Sequence, residues 1–341
     1  MKIAFIVGAF PVLSETFILG QAIELVRRGH RVEIFAAGRP PRNARRTALA
    51  PRSLIRRTHY FGIWGDRGNT ILALRAVVEN LARNPAGILR ALREFRRGAI
   101  SPEQLNLLVH FLARSFDVIH CHFGPNGKLG CFLKGRGIPA PVVTSFYGYD
   151  VSLSLATGGR EFYREMLREG DLFLPISDGF KSRLLALGCE PHKIVVYHSG
   201  IDLRAFPFVP RRLDPGKPVA VLTVGRLVEK KGHDYALRAV AKFAAVGRDI
   251  RYVIAGDGPL SGALRACAAR LGIEGRVRFT GAVDHDEVRG LLSGAHLFLL
   301  PSVTARNGDE EGIPISIMEA QASGLPVLST RHSGIPELVA D

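Results

Sequence analysis

The sequence predicts an α/β protein made of two doubly wound parallel sheets. Short apolar runs bounded by Gly, Pro or polar residues alternate along the whole chain with stretches whose apolar residues recur at helical spacing. No internal repeat of short period is present. The alternation lapses once, between Ile201 and Pro218, where Pro207, Pro210, Pro215 and Pro218 stand among Arg and Asp. A boundary there assigns 1–203 to a first domain, 204–217 to a linker and 218–341 to a second domain.

In the first domain Lys2 to Val7 reads as a strand, and Gly8 to Glu15 as a turn into a helix over Thr16 to Arg28 that Ser14 is placed to cap. Gly29 ends that helix and Arg31 to Ala37 returns as a strand, a unit expected to close right-handed. The first loop has Gly8 but no G-x-G-x-x-G, so the dinucleotide fingerprint and dehydrogenase chemistry lose support. Residues 39–58 hold Arg39, Arg42, Arg45, Arg46, Arg52, Arg56 and Arg57 with three prolines and read as a mobile or loosely helical basic surface segment. From Asn84 to Arg97, Ile88, Leu89, Leu92 and Phe95 fall at helical spacing among Arg90, Arg93, Arg96 and Arg97. That pattern fits a core helix with a solvated face as well as a membrane-surface helix. Phe116 to His122 is a strand ending in His120-Cys121-His122, and Pro141 to Phe146 a strand leading into Tyr147-Gly148-Tyr149-Asp150. Polar residues at strand ends are where loops build sites, although one of two alternating histidines should face inward as a packed residue. Leu172 to Ile176 and Lys193 to His198 are read as the last strands of this half.

In the second domain the strands are Val219–Val224, Arg251–Ala255, Arg276–Phe279, Ala295–Pro301 and Pro326–Ser329, with helices over Asp234–Val246 and Asp286–Leu292. Between the last two strands lies Ser302 to Ala320, an acidic loop ending in Glu311 and a helix that begins at Pro314 and contains Glu319. The residues alone allow two readings. Such a loop at the carboxyl end of a parallel strand suits a phosphate-bearing ligand, with the helix start offering unpaired N–H groups. Alternatively, Asp309, Glu310 and Glu311 are a solvated charge run and Glu319 an exposed helix residue.

The chain has 341 residues, 47% hydrophobic and 23% charged, ordinary for a globular protein with real cores. Cys121, Cys131, Cys189 and Cys267 are widely spaced and form no C-x-x-C pair, which argues against a disulfide framework or zinc site and for a reducing cytoplasm. No apolar run approaches membrane-spanning length, and Pro11 follows the first strand too soon for a signal peptide. Of the net charge of +15, +12 resides in the first hundred residues. A one-sided basic surface attracts a polyanion or an anionic membrane face, or simply keeps the protein soluble.

Four motifs in the second half carry a family resemblance: Val224-Gly225-Arg226 with Lys230-Lys231-Gly232; Ala255-Gly256-Asp-Gly-Pro259; Val277-Arg-Phe-Thr-Gly281; and Glu311-x7-Glu319 followed by Ala322-x-Gly324-Leu-Pro326. In this order and spacing they resemble glycosyltransferase family 4, with its GT-B architecture of two Rossmann-like domains facing a cleft. Phe10-Pro-Val-Leu-Ser14-Glu-Thr and Gly148-Tyr-Asp150 resemble members that build bacterial exopolysaccharides, including colanic-acid-type enzymes.

The resemblance implies a retaining, metal-independent sugar transfer from a UDP- or GDP-linked donor to a saccharide or lipid-linked acceptor, with no cofactor. Arg226 and Lys231 would take the diphosphate, where charge builds as the glycosidic bond breaks. Glu311 would bind the donor sugar and Glu319 the ribose, while Gly225, Gly256, Gly281 and the backbone of Gly312, Ile313, Pro314 and Ile315 line the donor side. Lys230 is expected to be a solvated neighbour, and Gly334 to Glu337 resembles a further donor-side loop. The acceptor side would include Ser14, Glu15, His120, His122, Tyr147 and Asp150. Many relatives have His where this chain has Tyr147, and His122 is the expected partial replacement in catalysis. Relatives also continue beyond the Gly-Ile-Pro-Glu loop with helices expected to be missing here. The implied setting is cytoplasmic, on the inner membrane face through the basic first hundred residues. A GT-B nucleotide-sugar epimerase is the alternative enzyme. Nucleic acid is not an expected partner, since the arginines lack interleaved aromatics.

Overall fold

A computed structural model describes residues 1–12, 15–39, 50–62, 68–213 and 215–340. These residues form two compact units: Met1–Phe146 with Arg160–Pro175 and Lys181–Val196, and Tyr147–Gly159 with Ile176–Phe180 and Tyr197–Asp341.

The first unit is built on a six-stranded, wholly parallel sheet: β1 (Lys2–Ala9), β2 (Arg31–Gly38), β3 (Thr58–Tyr60), β4 (Val118–His122), β5 (Val142–Phe146) and β6 (Leu172–Pro175). The order is β3-β2-β1-β4-β5-β6, so the direction of winding reverses between β1 and β4. Central β1 is apolar on both faces because helices cover both, and Ala4 to Val7 are fully buried. The helix Pro85–Arg96 proves to be a core helix. Asn84 caps it by accepting from the Gly87 N–H, Ile88 and Ala91 face inward, and Arg90, Arg93 and Arg96 face out.

One expectation fails here. Lys193 to His198 is no strand: Ile194 makes a single bridge to Phe173, and from Tyr197 the chain belongs to the second unit. In the segment 39–58 the helical alternative holds at Arg52–Arg56, and the unexpected strand β3 follows it and pairs with Ile34 to Ala36. Arg42, Arg45 and Arg46 lie outside the described residues. Thr58-His-Tyr60 carries no apolar run to announce a strand. It is tied to β2 partly by His59 Nε2, 3.3 Å from the buried Glu33 carboxylate. That bond, with Arg31, holds Glu33 at a pKa of about 2 against the opposing effect of burial.

The second unit holds a five-stranded parallel sheet: β7 (Val219–Val224), β8 (Ile250–Ala255), β9 (Val277–Gly281), β10 (Leu297–Leu300) and β11 (Val327–Ser329). Its order, β11-β10-β7-β8-β9, reverses between β7 and β10. One core layer packs Val221, Leu237, Tyr252 and Ile254, and the opposite layer Leu222, Phe298, Leu300, Ile317 and Ala320. The helix after β9, His285–Gly294, begins in a reciprocal cap between Asp284 and Glu287.

Candidate functional site

Open parallel sheets bind ligands outside the carboxyl ends of their strands where the winding reverses. In the second unit that point lies between β7 and β10, and the loops leaving these two strands carry Arg226, Lys231 and Glu311.

After β7, Gly225 opens the loop and Glu229–Lys231 form a single tight turn closed by Gly232 in the left-handed region. The turn sends its two lysines apart. Lys231 passes over Gly225, where a side chain would meet its Cε at 3.4 Å, and brings Nζ to 2.5 Å from Glu311 Oε2. Lys230 is not a solvated neighbour, being only 6% exposed. Its Nζ lies 3.0 Å from Asp309 Oδ1 and donates to the Glu310 carbonyl at 3.0 Å, and its own carbonyl accepts from the Val303 N–H. Lys230 is therefore a clamp on the acidic loop, and Asp309 is no part of a free charge run.

A second clamp comes from the segment after β5. Ser152 Oγ accepts the Glu310 N–H at 3.2 Å. Gly312 lies so close to the Tyr147 carbonyl that an added Cβ would sit 2.1 Å from its oxygen. Asp150 is fully buried and accepts from the backbone N–H groups of Tyr147 and Gly148, so its carboxylate shapes this segment. Gly312→Ala is thus expected to lower stability by several kcal/mol through backbone displacement, read as a fall in melting temperature that a mere surface loop would not give.

Glu311 is nearly buried. Burial pushes its pKa up, but the charges of Lys231, Lys230 and Arg226 and the Lys231 hydrogen bond outweigh that and hold it below the ordinary carboxylate value. Arg226 itself is exposed. The ionised carboxylate can accept hydroxyl hydrogens, and the cations beside it, of which Arg226 is open to solvent, can take an anion.

Helix Ile315–Ala322 starts behind this group, preceded by the buried Gly312, Ile313 and Pro314, with no side chain capping its first turn. Its leading N–H groups are the ones an anion satisfies. Glu319, expected in one reading to be exposed, is 6% exposed, and burial raises its pKa to about 7. Three glycines abut at the strand ends of β7, β8 and β9. The Gly225 N–H bonds to the Ala255 carbonyl and the Gly256 N–H to the Gly281 carbonyl, both at 2.9 Å. Gly256, at φ 145°, has no room for a side chain, since a Cβ would lie 1.9 Å from the Gly225 oxygen. The structure thus places Gly225, Arg226, Lys231 and Glu311 to Ile315 in the segments leaving β7 and β10, with Gly256 and Gly281 at the ends of the neighbouring strands β8 and β9.

The remaining candidates belong to the first unit or serve as braces. The loop after β1 and the end of β4 flank that unit's own reversal point. Glu15 precedes the helix Thr16–Arg27 without capping it through its side chain, and Ser14 lies outside the described residues. His120 and His122 are buried and stacked at 4.3 Å, with His122 also edge-on to Phe5 at 4.5 Å. Burial lowers the His120 pKa to about 4 and that of His122 well below its usual value, so both imidazoles are neutral. In the unit described, packing accounts for both rings. Glu337 accepts the N–H groups of Asp178 and Gly179 at 2.9 and 3.2 Å and lies 3.1 Å from His198 Nε2, a bracing role. Sequence reasoning missed Phe123, a non-glycine residue at φ 72° directly after β4. Phe-Gly-Pro reads as an ordinary turn, and nothing in it signals the left-handed backbone. Among the described residues no three His, Cys, Asp or Glu side chains converge as a metal site requires.

Known proteins resemble the chain along both of its halves. The model for Glycosyltransferase Family 4 matches residues 14–205, and that for Glycosyl transferases group 1 matches residues 208–341. WcaL of Escherichia coli, named for colanic acid biosynthesis as a glycosyltransferase, is 36% identical over 349 residues, covering 99% of this chain and 84% of its own. The amylovoran biosynthesis glycosyltransferase AmsK of Erwinia amylovora is 35% identical over 345 residues, with the same coverage of 99% and 84%. Among solved structures, Anabaena HepE in complex with UDP and glucose superposes with a TM-score of 0.72 at 18% identity, covering all of this chain and 83% of that one. WaaG, a glycosyltransferase involved in lipopolysaccharide biosynthesis, gives 0.63 at 16% identity, covering 99% and 84%. With matched models over both halves and relatives above 30% identity along nearly its full length, the chain belongs to glycosyltransferase family 4 and has the GT-B fold.

Proposed function

We propose that the protein transfers a hexosyl group from a UDP- or GDP-linked donor to a saccharide acceptor carried on a lipid, in exopolysaccharide or other cell-surface glycan synthesis. The observation that carries this reading is the ionised Glu311 held 2.5 Å from Lys231 at the reversal point of the second sheet, with Arg226 beside them. When the bond from the anomeric carbon to the diphosphate breaks, negative charge grows on the leaving phosphate, and Arg226 and Lys231 are the cations that offset it. They fill the role a metal ion has elsewhere, so the reaction is proposed to need none. Glu311 takes sugar hydroxyls, Glu319 the ribose, and the helix start at Ile315 the diphosphate. Transfer with retention is part of the proposal. WcaL and AmsK are named for exopolysaccharide synthesis, and HepE was captured with UDP and glucose, which supports the donor class and the pathway type. The proposed setting is the cytoplasmic membrane face.

A panel of UDP- and GDP-sugars in a thermal-shift assay tests this. One nucleotide series at about 100 times its Kd should stabilise the fold by about 2.7 kcal/mol. Donor consumption is then followed with and without a lipid-linked acceptor extract. Consumption only with acceptor is the expected result. Equal consumption without it would point to an epimerase, and absence of any shift across both series would overturn the donor assignment.

A further inference from the structure

His233 is the first residue of the helix His233–Ala245 and is 2% exposed. Its Nε2 lies 3.0 Å from the Arg226 carbonyl oxygen, and because a carbonyl only accepts, Nε2 carries the proton. Nδ1 is buried with no hydrogen-bond partner among the described residues. Burial lowers the pKa of the ring, outweighing the Arg226 bond that raises it, and the Lys231 charge lowers it further. The imidazole is therefore neutral, with Nδ1 bare. The segment from Arg226 to His233 carries both cations of the site, Arg226 at its start and Lys231 near its end. Its middle is held by neighbours: the Leu227 N–H donates to the Asp257 carbonyl, and the Lys230 carbonyl accepts from Val303. Gly232 is wedged so close to Pro301 that an added Cβ would lie 1.8 Å from its carbonyl oxygen. The His233 ring ties the end of the segment back to its start. The Arg226 carbonyl already accepts the Val228 N–H at 2.9 Å, so the ring is not needed to satisfy it. An aliphatic side chain would fill the space without burying a bare ring nitrogen. A buried polar group kept where stability does not require it is expected where function sets the geometry.

We infer that His233 is a positioning residue for Arg226: its imidazole staples the segment end to end and so fixes the spacing at which the Arg226 and Lys231 side chains meet one diphosphate. This role rests on the reading of those two cations as the diphosphate site and adds what holds them in register. His233 itself touches no ligand and acts through the Arg226 backbone. Without the staple the Arg226 end of the segment samples other arrangements, and the apparent affinity falls with the fraction of chains that remain competent.

The test is titration calorimetry of the full chain with UDP and GDP, and with UMP and GMP as controls that lack the second phosphate. Wild type is compared with His233→Leu, His233→Gln, Arg226→Ala and the double variant His233→Leu/Arg226→Ala, with folding checked by circular dichroism. Glutamine keeps an N–H at the reach of Nε2, whereas leucine keeps only the volume. In the nucleotide series that wild type binds, His233→Leu should weaken the diphosphate about tenfold and the monophosphate less than about twofold, and His233→Gln should stay within about threefold of wild type for both. In the Arg226→Ala background His233→Leu should add less than about twofold, because a residue acting through Arg226 then has nothing left to position. Should the leucine variant fail to fold, His233→Asn, whose amide is one bond too short to reach the carbonyl, takes its place in both comparisons. Equal weakening of monophosphate and diphosphate, or a loss that persists undiminished in the Arg226→Ala background, would overturn the staple and leave the diphosphate site intact. So would an unchanged diphosphate affinity in His233→Leu. Wild type that binds neither UDP nor GDP would overturn the donor reading and this role with it.

Discussion

Lys231→Ala is expected to reduce donor turnover by about 10²–10³-fold, the usual effect of deleting one preorganised group that meets transition-state charge. It should also lower stability by about 3–5 kcal/mol, because removing one member of a buried pair leaves the other uncompensated. Lys231 and Glu311 side chains are each 12% exposed, so Glu311 would be stranded with only Arg226 and Lys230 in reach of its charge. A stability loss alone could imitate an activity loss, and a second variant separates them. Lys231→Met/Glu311→Leu replaces the pair by apolar side chains of similar reach, and such replacements are commonly neutral or stabilising. Urea unfolding should show its stability near or above wild type, while turnover stays at the level of the single variant. Wild-type turnover in the double variant would mean the pair is structural and that the cations on the diphosphate lie elsewhere.

Glu319→Gln is expected to stabilise the protein above neutral pH and to weaken nucleotide binding at the same time. Burial raises the Glu319 pKa from 4.5 to about 7 in the folded state. The folded protein therefore holds this proton more tightly than the unfolded chain. Its contribution to stability is fully present below about 4.5 and is lost as pH rises through 7. At pH 8 the ionised carboxylate costs on the order of 1–3 kcal/mol, which glutamine removes. Melting temperatures of the two proteins should coincide near pH 4.5 and diverge by several degrees at pH 8, with the variant higher. Nucleotide affinity should move oppositely. A hydroxyl donating to a carboxylate contributes about 1.5–3 kcal/mol, so the variant should bind roughly ten- to a hundredfold more weakly at pH 8. Wild-type affinity should decline as pH falls below 7, and that slope should vanish in the variant. A variant with unchanged affinity at pH 8 would remove Glu319 from the nucleotide site. An unchanged melting temperature there would mean that its carboxylate is solvated or paired in the folded state.

Much of this was readable in the chain because it rests on local chemistry. Short, largely apolar runs marked ten of the eleven strands among the described residues, since a strand covered by helices on both faces has to be mostly apolar. The exception, Thr58–Tyr60, lies at a sheet edge where backbone pairing and one His59–Glu33 contact suffice without an apolar run. Gly256 and Gly312 were equally legible, because backbone approaching backbone leaves no room for a side chain.

The tertiary structure alone decided where equivalent residues went. Lys230 and Lys231 are chemically identical neighbours, and the single turn ending at Gly232 directs one into the acidic loop and the other onto Glu311. Arg-rich amphipathic periodicity could not tell a core helix from a membrane helix, because both require the same spacing. Packing buried Ile88 and Ala91 in the core and left Arg90, Arg93 and Arg96 exposed. Glu319 carries its carboxyl on a helix whether covered or open, and only the elements folded over it raise its pKa toward 7. The sequence by itself determined the alternation of most strands with helices and the residue types at the reversal points, while the edge strand Thr58–Tyr60 and the absence of a strand at 193–198 depended on pairing. Burial and charge pairing, which depend on residues distant in the chain, required the folded protein.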